Sequence, residues 1–186
     1  MHTRRVEYRG YLREDGLWDI EGELHDSKPH AFEVKGEGSW EADEPVHHMH
    51  IRVTLDTAMV VRAIEAVMDS HPHGICPQAE APMQRMVGVR MGGGWRQAIE
   101  RHLGNIQGCT HLRELLYNMA TAAFQTMVEV SFAAPGDGRP PPHLGKCLAW
   151  DFDGPVTEKV YPMFFRWRPP ADPGRQVPEA LGGAGR

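Results

Sequence analysis

Four residues combine reactive chemistry with a suggestive setting: His47, Cys76, Cys109 and His111. Cys109 and His111 flank the first turn of a long helix that begins near Thr110. Backbone N–H groups at a helix start are unpaired and the helix dipole favours negative charge there. A thiolate at Cys109 is therefore stabilised, either as a nucleophile or as a metal ligand. His47 alone interrupts an apolar strand face made by Met49, Ile51, Val53 and Leu55, so it is expected to be buried and to need a partner. Cys76 stands before Pro77 at another helix start. Two thiolates and two imidazoles make a zinc-type donor set, which names His47, Cys76, Cys109 and His111 as the candidate ligands of a single divalent metal. Without a metal, the same residues can share an acid/base pocket. The plainer alternative is packing, because a free cysteine behaves as a small hydrophobe. The Cys-x-His spacing is by itself a weak metal signature.

Glu65 is the fourth candidate for acid/base work, beside His47, Cys109 and His111. If the segment 58–69 is a strand, Met59, Val61, Ala63, Glu65 and Val67 share one face and Glu65 is its only charge. A carboxyl in apolar surroundings has a raised pKa and suits a general acid or base. If the segment is helical, Glu65 is simply solvated. The triplet Gly92-Gly93-Gly94 resembles an anion cradle before a helix, but it lacks the lysine of a P-loop and the spacing of a dinucleotide fingerprint. A tight turn into the helix explains it more simply. No nucleophile elbow surrounds any serine.

The elements that must position these residues divide by half. Val6 and Tyr8 alternate with charged residues over 4–12, and Trp18, Ile20 and Leu24 do so over 17–25, which marks two strands with one buried face each. Asp15-Gly16 between them is a hairpin signal. A short strand covers 31–34, a fourth covers 45–55, and 58–69 is read as its return strand. The second half reads as helices: a short one over 77–87, another over 95–103, and a long one. In the long helix Leu112, Leu115, Leu116, Met119, Ala120, Ala123, Phe124 and Met127 form an apolar stripe, with Thr110 suited to cap its start. A Pro/Gly-rich loop around 135–142 and an aromatic segment over 147–167 follow. The stretch 169–186 has no apolar periodicity and reads as a flexible tail after a single domain over 1–168.

Composition excludes several classes. The 186 residues include 41% hydrophobic and 24% charged ones, ordinary for a globular domain, and the formal net charge is −5 without any basic block. Nucleic-acid binding relies on clustered cations, so none is expected. No apolar run approaches the roughly 20 residues that cross a bilayer, so no membrane association is expected either. The first residues lack the apolar core of a signal peptide. Three widely spaced cysteines then read as reduced thiols of a cytoplasmic protein.

Several short stretches, in order, resemble the bacterial domain of unknown function 2889 family: His2-Thr3-Arg4-Arg5, Arg9-Gly10-Tyr11, Asp15 to Gly22 and Glu44-Pro45 at the start. Ile75-Cys76-Pro77, Val87-Gly88, Gly94-Trp95, Gly108 to Leu112 and Ala122 to Thr126 continue it. Asp153 to Val156 and Tyr161-Pro162 resemble its end. His48 stands where the family pattern expects Asp, and Leu148 where it expects His. The resemblance implies a fold unit and supplies no reaction.

The expected fold is α+β, an antiparallel sheet from the N-terminal half packed against helices from the C-terminal half. The expected function is a small enzyme of lyase, hydratase or isomerase type acting on a small apolar or aromatic carboxylic substrate. In it His47 is the acid/base, Cys109 and His111 polarise the substrate or bind zinc, and the helix start attracts the carboxylate. The alternative is a non-catalytic accessory or binding protein with a structural Cys/His site. The partner is a small molecule, with homo-oligomerisation left open.

Overall fold

Asp15 and Gly16 close the first hairpin: Gly16 takes φ +80, Arg13 N–H bonds to the Leu17 carbonyl at 2.8 Å, and Leu12 faces Trp18 across the turn. The strands so joined are β1 (Thr3–Leu12) and β2 (Trp18–Ser27). A two-stranded ribbon follows, β3 (Phe32–Val34) and β4 (Gly38–Trp40), in which the Phe32 and Trp40 rings stack at 5.4 Å. Then come β5 (Pro45–Leu55) and β6 (Val61–Ser70). In this computed structural model, which describes residues 1–132 and 136–168, the large sheet is antiparallel with order β1-β2-β5-β6. The expected α+β architecture is the observed one; of the return strand read over 58–69, the part from Val61 onward belongs to the sheet, and the residues before it form the turn.

The inner face of the sheet is apolar by alternation. Ile20 and Leu24 of β2, Met49, Ile51 and Val53 of β5, and Ile64 and Met68 of β6 are all buried. Against them pack α1 (Trp95–Leu103) and α2 (Thr110–Thr126), which is extended by the short α3 (Val128–Ser131). The stripe expected on α2 lies as read at its centre: Leu112, Leu115, Leu116, Met119, Ala123 and Met127 are buried, while Ala120 and Phe124 form its half-buried margin. The Trp95 indole N–H reaches the Leu116 carbonyl at 3.1 Å, tying α1 to α2 inside the core. Gly94 takes φ +87 at the start of α1, so the glycine triplet serves the turn.

Three local readings need correction. The helix expected over 77–87 is two 3-10 turns, Cys76–Ala79 and Ala81–Met86; Pro77 and Pro82 each occupy a first-turn position, and the second proline cannot continue the ladder of the first turn. Thr110 does not cap α2: Cys109 holds the cap position in extended conformation and makes no side-chain cap bond. In β6 the parity changes at Arg62. Leu55 pairs with Val61 but Thr54 pairs with Ala63, so Arg62 is an extra residue and every later side chain swaps faces.

The chain, read as one domain over 1–168, clusters into two compact units, Met1–Ser131 and Phe132–Arg186. The second contains α4 (Pro155–Val160) and a small core in which the His143 ring is surrounded by Phe132, Trp150 and Tyr161 at 4.2, 4.7 and 5.4 Å. The tail expected over 169–186 lies outside the described residues. Among the described residues no helix is long and apolar enough to cross a membrane.

Candidate functional site

The ladder of the sheet sets Arg4, Asp26 and His47 side by side on β1, β2 and β5, in a row across the inner face. Asp26 is in phase with Ile20 and Leu24, so alternation turns its carboxylate inward, where it is only 1% exposed. A buried charge needs partners, and Asp26 has several. Arg4 grips it with Nε on Oδ1 and Nη2 on Oδ2, both at 2.8 Å, and His2 Nε2 stands 3.2 Å from Oδ1. The same guanidinium reaches Glu114 of α2 at 2.8 Å. Burial alone would raise the Asp26 carboxyl, but the hydrogen bonds and charge of Arg4 outweigh it and hold the group below its ordinary value.

His47 Nδ1 lies 3.0 Å from Asp26 Oδ2. An ionised carboxylate only accepts, so Nδ1 carries the proton and the Nε2 lone pair is left free. Burial, then the neighbouring His111, push the His47 pKa down to about 4 against the pull of Asp26. His111 is lowered as well, by burial first and then by Arg4. Both imidazoles are therefore neutral near pH 7.

The start of α2 brings the remaining members. The His111 ring sits 4.0 Å from that of His47, and Cys109 Sγ is 3.8 Å from His111 Nδ1. The far side of Cys109 lines a cleft with Ile75, Cys76, Ala79, Pro82 and Ile106. Burial and then the proximity of Cys109 raise the Cys76 thiol. Among the described residues Arg85 is the only charged one lining this cleft and has no carboxylate partner; it is held by the His102 carbonyl and Gln107 Oε1 at 3.0 and 3.1 Å.

His47, Cys109 and His111 thus form one string of contacts, with Cys76 across the cleft from Cys109. Glu65 does not join them. The parity change at Arg62 turns it to the opposite face, where its side chain is 72% exposed and lies 3.5 Å from Arg52. It is a solvated charge, not an acid in apolar surroundings. As to a metal, the donors of Asp26, His47 and His111 come within 4.8 Å of one another, whereas neither cysteine completes a three-donor group with them among the described residues. Both Asp26 oxygens already accept from Arg4, so a cation there would share the carboxylate with the guanidinium.

Two members escape a reading of the sequence, Asp26 and Arg4. The signal was present: continuing the alternation of β2 one residue past His25 puts Asp26 on the Ile20–Leu24 face, and Arg4 is in phase with Val6 and Tyr8. What alternation cannot give is the pairing that lines the two up with His47.

A family model described as "Protein of unknown function (DUF2889)" matches residues 2–125, a span containing every residue of this site. The similarities noted at Asp153–Val156 and Tyr161-Pro162 lie beyond that span. No curated protein and no solved structure matches the chain.

Proposed function

The chain belongs to the DUF2889 family, and from its site we propose that it is a small enzyme of lyase, hydratase or isomerase type acting on a small apolar or aromatic carboxylic substrate. The observation that carries this reading is the contact of the buried Asp26 with the half-buried His47, 3.0 Å long, on the inner sheet face beside His111. Asp26 orients the ring and stabilises the imidazolium that forms when Nε2 takes a proton from the substrate. With a pKa of about 4 the ring by itself is a weak base. An anionic substrate beside it raises that pKa, so binding brings the base toward working pH. The apolar cleft lined by Arg85 suits a ring or short chain ending in a carboxylate. Cys109, shared by cleft and His111, would polarise the substrate. The three cysteines are unpaired, which fits a cytoplasmic setting.

Calorimetry with benzoate, phenylacetate and cinnamate in two buffers of different ionisation enthalpy, near pH 6, tests the assignment. At least one carboxylate should bind with proton uptake; His47→Gln should abolish the uptake, and Arg85→Gln should weaken binding about tenfold. Binding weaker than about 1 mM for all three, or uptake unchanged in His47→Gln, overturns it.

The three donors of Asp26, His47 and His111 favour a second reading, a non-catalytic protein with structural zinc. Elemental analysis of protein purified without an affinity tag separates the two. Zinc whose removal unfolds the chain, lost in His111→Ala, supports the structural site.

A further inference from the structure

The alternation that sends His47 inward sends His48 and His50 to the outer face of the same strand. They are two residues apart and their rings lie 4.5 Å from each other. Glu23 of β2 pairs directly with His50 in the ladder, and its Oε1 is 2.8 Å from His48 Nε2. Asp69 arrives by a second irregularity in β6: His48 pairs with Ser70 but Met49 pairs with Met68, leaving Asp69 as the extra residue. Its Oδ2 is 2.6 Å from His50 Nε2 and 3.7 Å from His48 Nδ1.

We propose that Glu23, His48, His50 and Asp69 form a binding site for a divalent transition-metal ion, with zinc as the best match, on the sheet face opposite the Asp26–His47 pair. Donor atoms of Glu23, His48 and His50 all lie within 4.8 Å of one another; Asp69 stands outside that group, with its Oδ2 2.6 Å from His50 Nε2. Donors around a tetrahedral zinc are separated by about 3.3 Å, given ligand bonds of about 2.0–2.1 Å. Glu23 meets His48 at Nε2, 2.8 Å away, whereas Asp69 stands 3.7 Å from the opposite nitrogen, Nδ1, so the ion takes Glu23, His48 Nε2 and His50, and a rotation of Asp69 completes the set. All four residues sit on paired strands, which hold their positions without a ligand. Neither carboxylate is in an ion pair with Lys or Arg among the described residues; each is paired there with histidine. Two imidazoles and two carboxylates, without a thiolate, suit zinc and its first-row neighbours better than copper(I). The His25 ring, edge-on to His48 at 5.4 Å, backs one ligand. His50 and Glu23 also line a depression with Glu7, Arg9, Arg52 and Glu65, so a bound ion stays accessible.

The test uses the full-length chain, untagged and stripped with chelator, titrated with Zn2+ against a chromophoric competitor and with Co2+ by absorption. Wild type should bind one equivalent that the pair His48→Ala, His50→Ala weakens about 100-fold, while His47→Gln and Cys109→Ser keep it. The Co2+ form should show visible ligand-field bands without a sulfur-to-cobalt charge-transfer band. Since the four side chains are 28–48% exposed and lie on the face away from the core, the double variant should fold; Glu23→Gln, which should also weaken binding, serves if it does not. Equal affinity in wild type and the His48/His50 variant overturns the proposal. So does a charge-transfer band that Cys109→Ser removes, because the ion then sits on the inner face.

Discussion

A carboxylate with an imidazole, a guanidinium and a second imidazole around it is balanced by charge, and pH tests that balance. His47 binds its proton less tightly in the folded chain, at about 4, than at the ordinary value of 6.5. Its contribution to stability is therefore whole above about pH 6.5 and is lost as the pH falls toward 4. The loss should reach about 2 kcal/mol at pH 5 relative to pH 7, since each unit of pKa difference is worth about 1.4 kcal/mol. Urea titrations at both pH values should show this drop in wild type and a smaller one in His47→Gln, whose amide can still donate to Asp26. An unchanged drop in the variant would assign the acid sensitivity to other groups. At this scale His47 was legible as the polar break in an apolar face. Asp26 escapes because the alternation visible over 17–25 stops one residue short of it.

Elements bring those residues together through close contacts that tolerate little change. Gly10 of β1 lies against α2 so closely that a Cβ there would collide with the Thr126 side chain, which is itself held by a bond to the Ala122 carbonyl at 2.9 Å. Gly10→Ala should push β1 off the end of α2 and cost about 1–3 kcal/mol, read by chemical denaturation. A cost near zero would mean that Thr126 swings aside. The strands and the long helix were legible because alternation and the three-to-four-residue stripe are local properties. The extra residue at Arg62 was not. It depends on the Asp56–Val60 turn, where Asp56 Oδ1 accepts from the N–H groups of Ala58 and Val60, both at 2.9 Å, and Met59 takes φ +60. One inserted residue reverses the facing of Glu65, and with it the candidate role.

At the scale of the whole molecule, the second unit carries its own polar core residue. His143 is 6% exposed, with neither ring nitrogen hydrogen-bonded among the described residues, and burial lowers its pKa. An orphaned buried polar group costs about 1–3 kcal/mol. His143→Phe, flanked by Phe132, Trp150 and Tyr161, should therefore leave thermal stability equal or higher at pH 7. It should also remove part of the loss on acidification below about pH 6.5. A lower Tm at pH 7 would show that the imidazole has a partner that matters. From sequence alone came the α+β class, the hairpins, the buried stripe of α2 and the nomination of His47, Cys109 and His111. Each follows from the period of a strand or helix, or from what a single residue type can do. Tertiary structure alone decided that Arg4 and Asp26 stand beside His47, that Glu65 stands apart, and that His48 and His50 meet Glu23 and Asp69 on the other face. Those facts depend on ladder register and on bulges, where one residue of slip exchanges the faces of a strand.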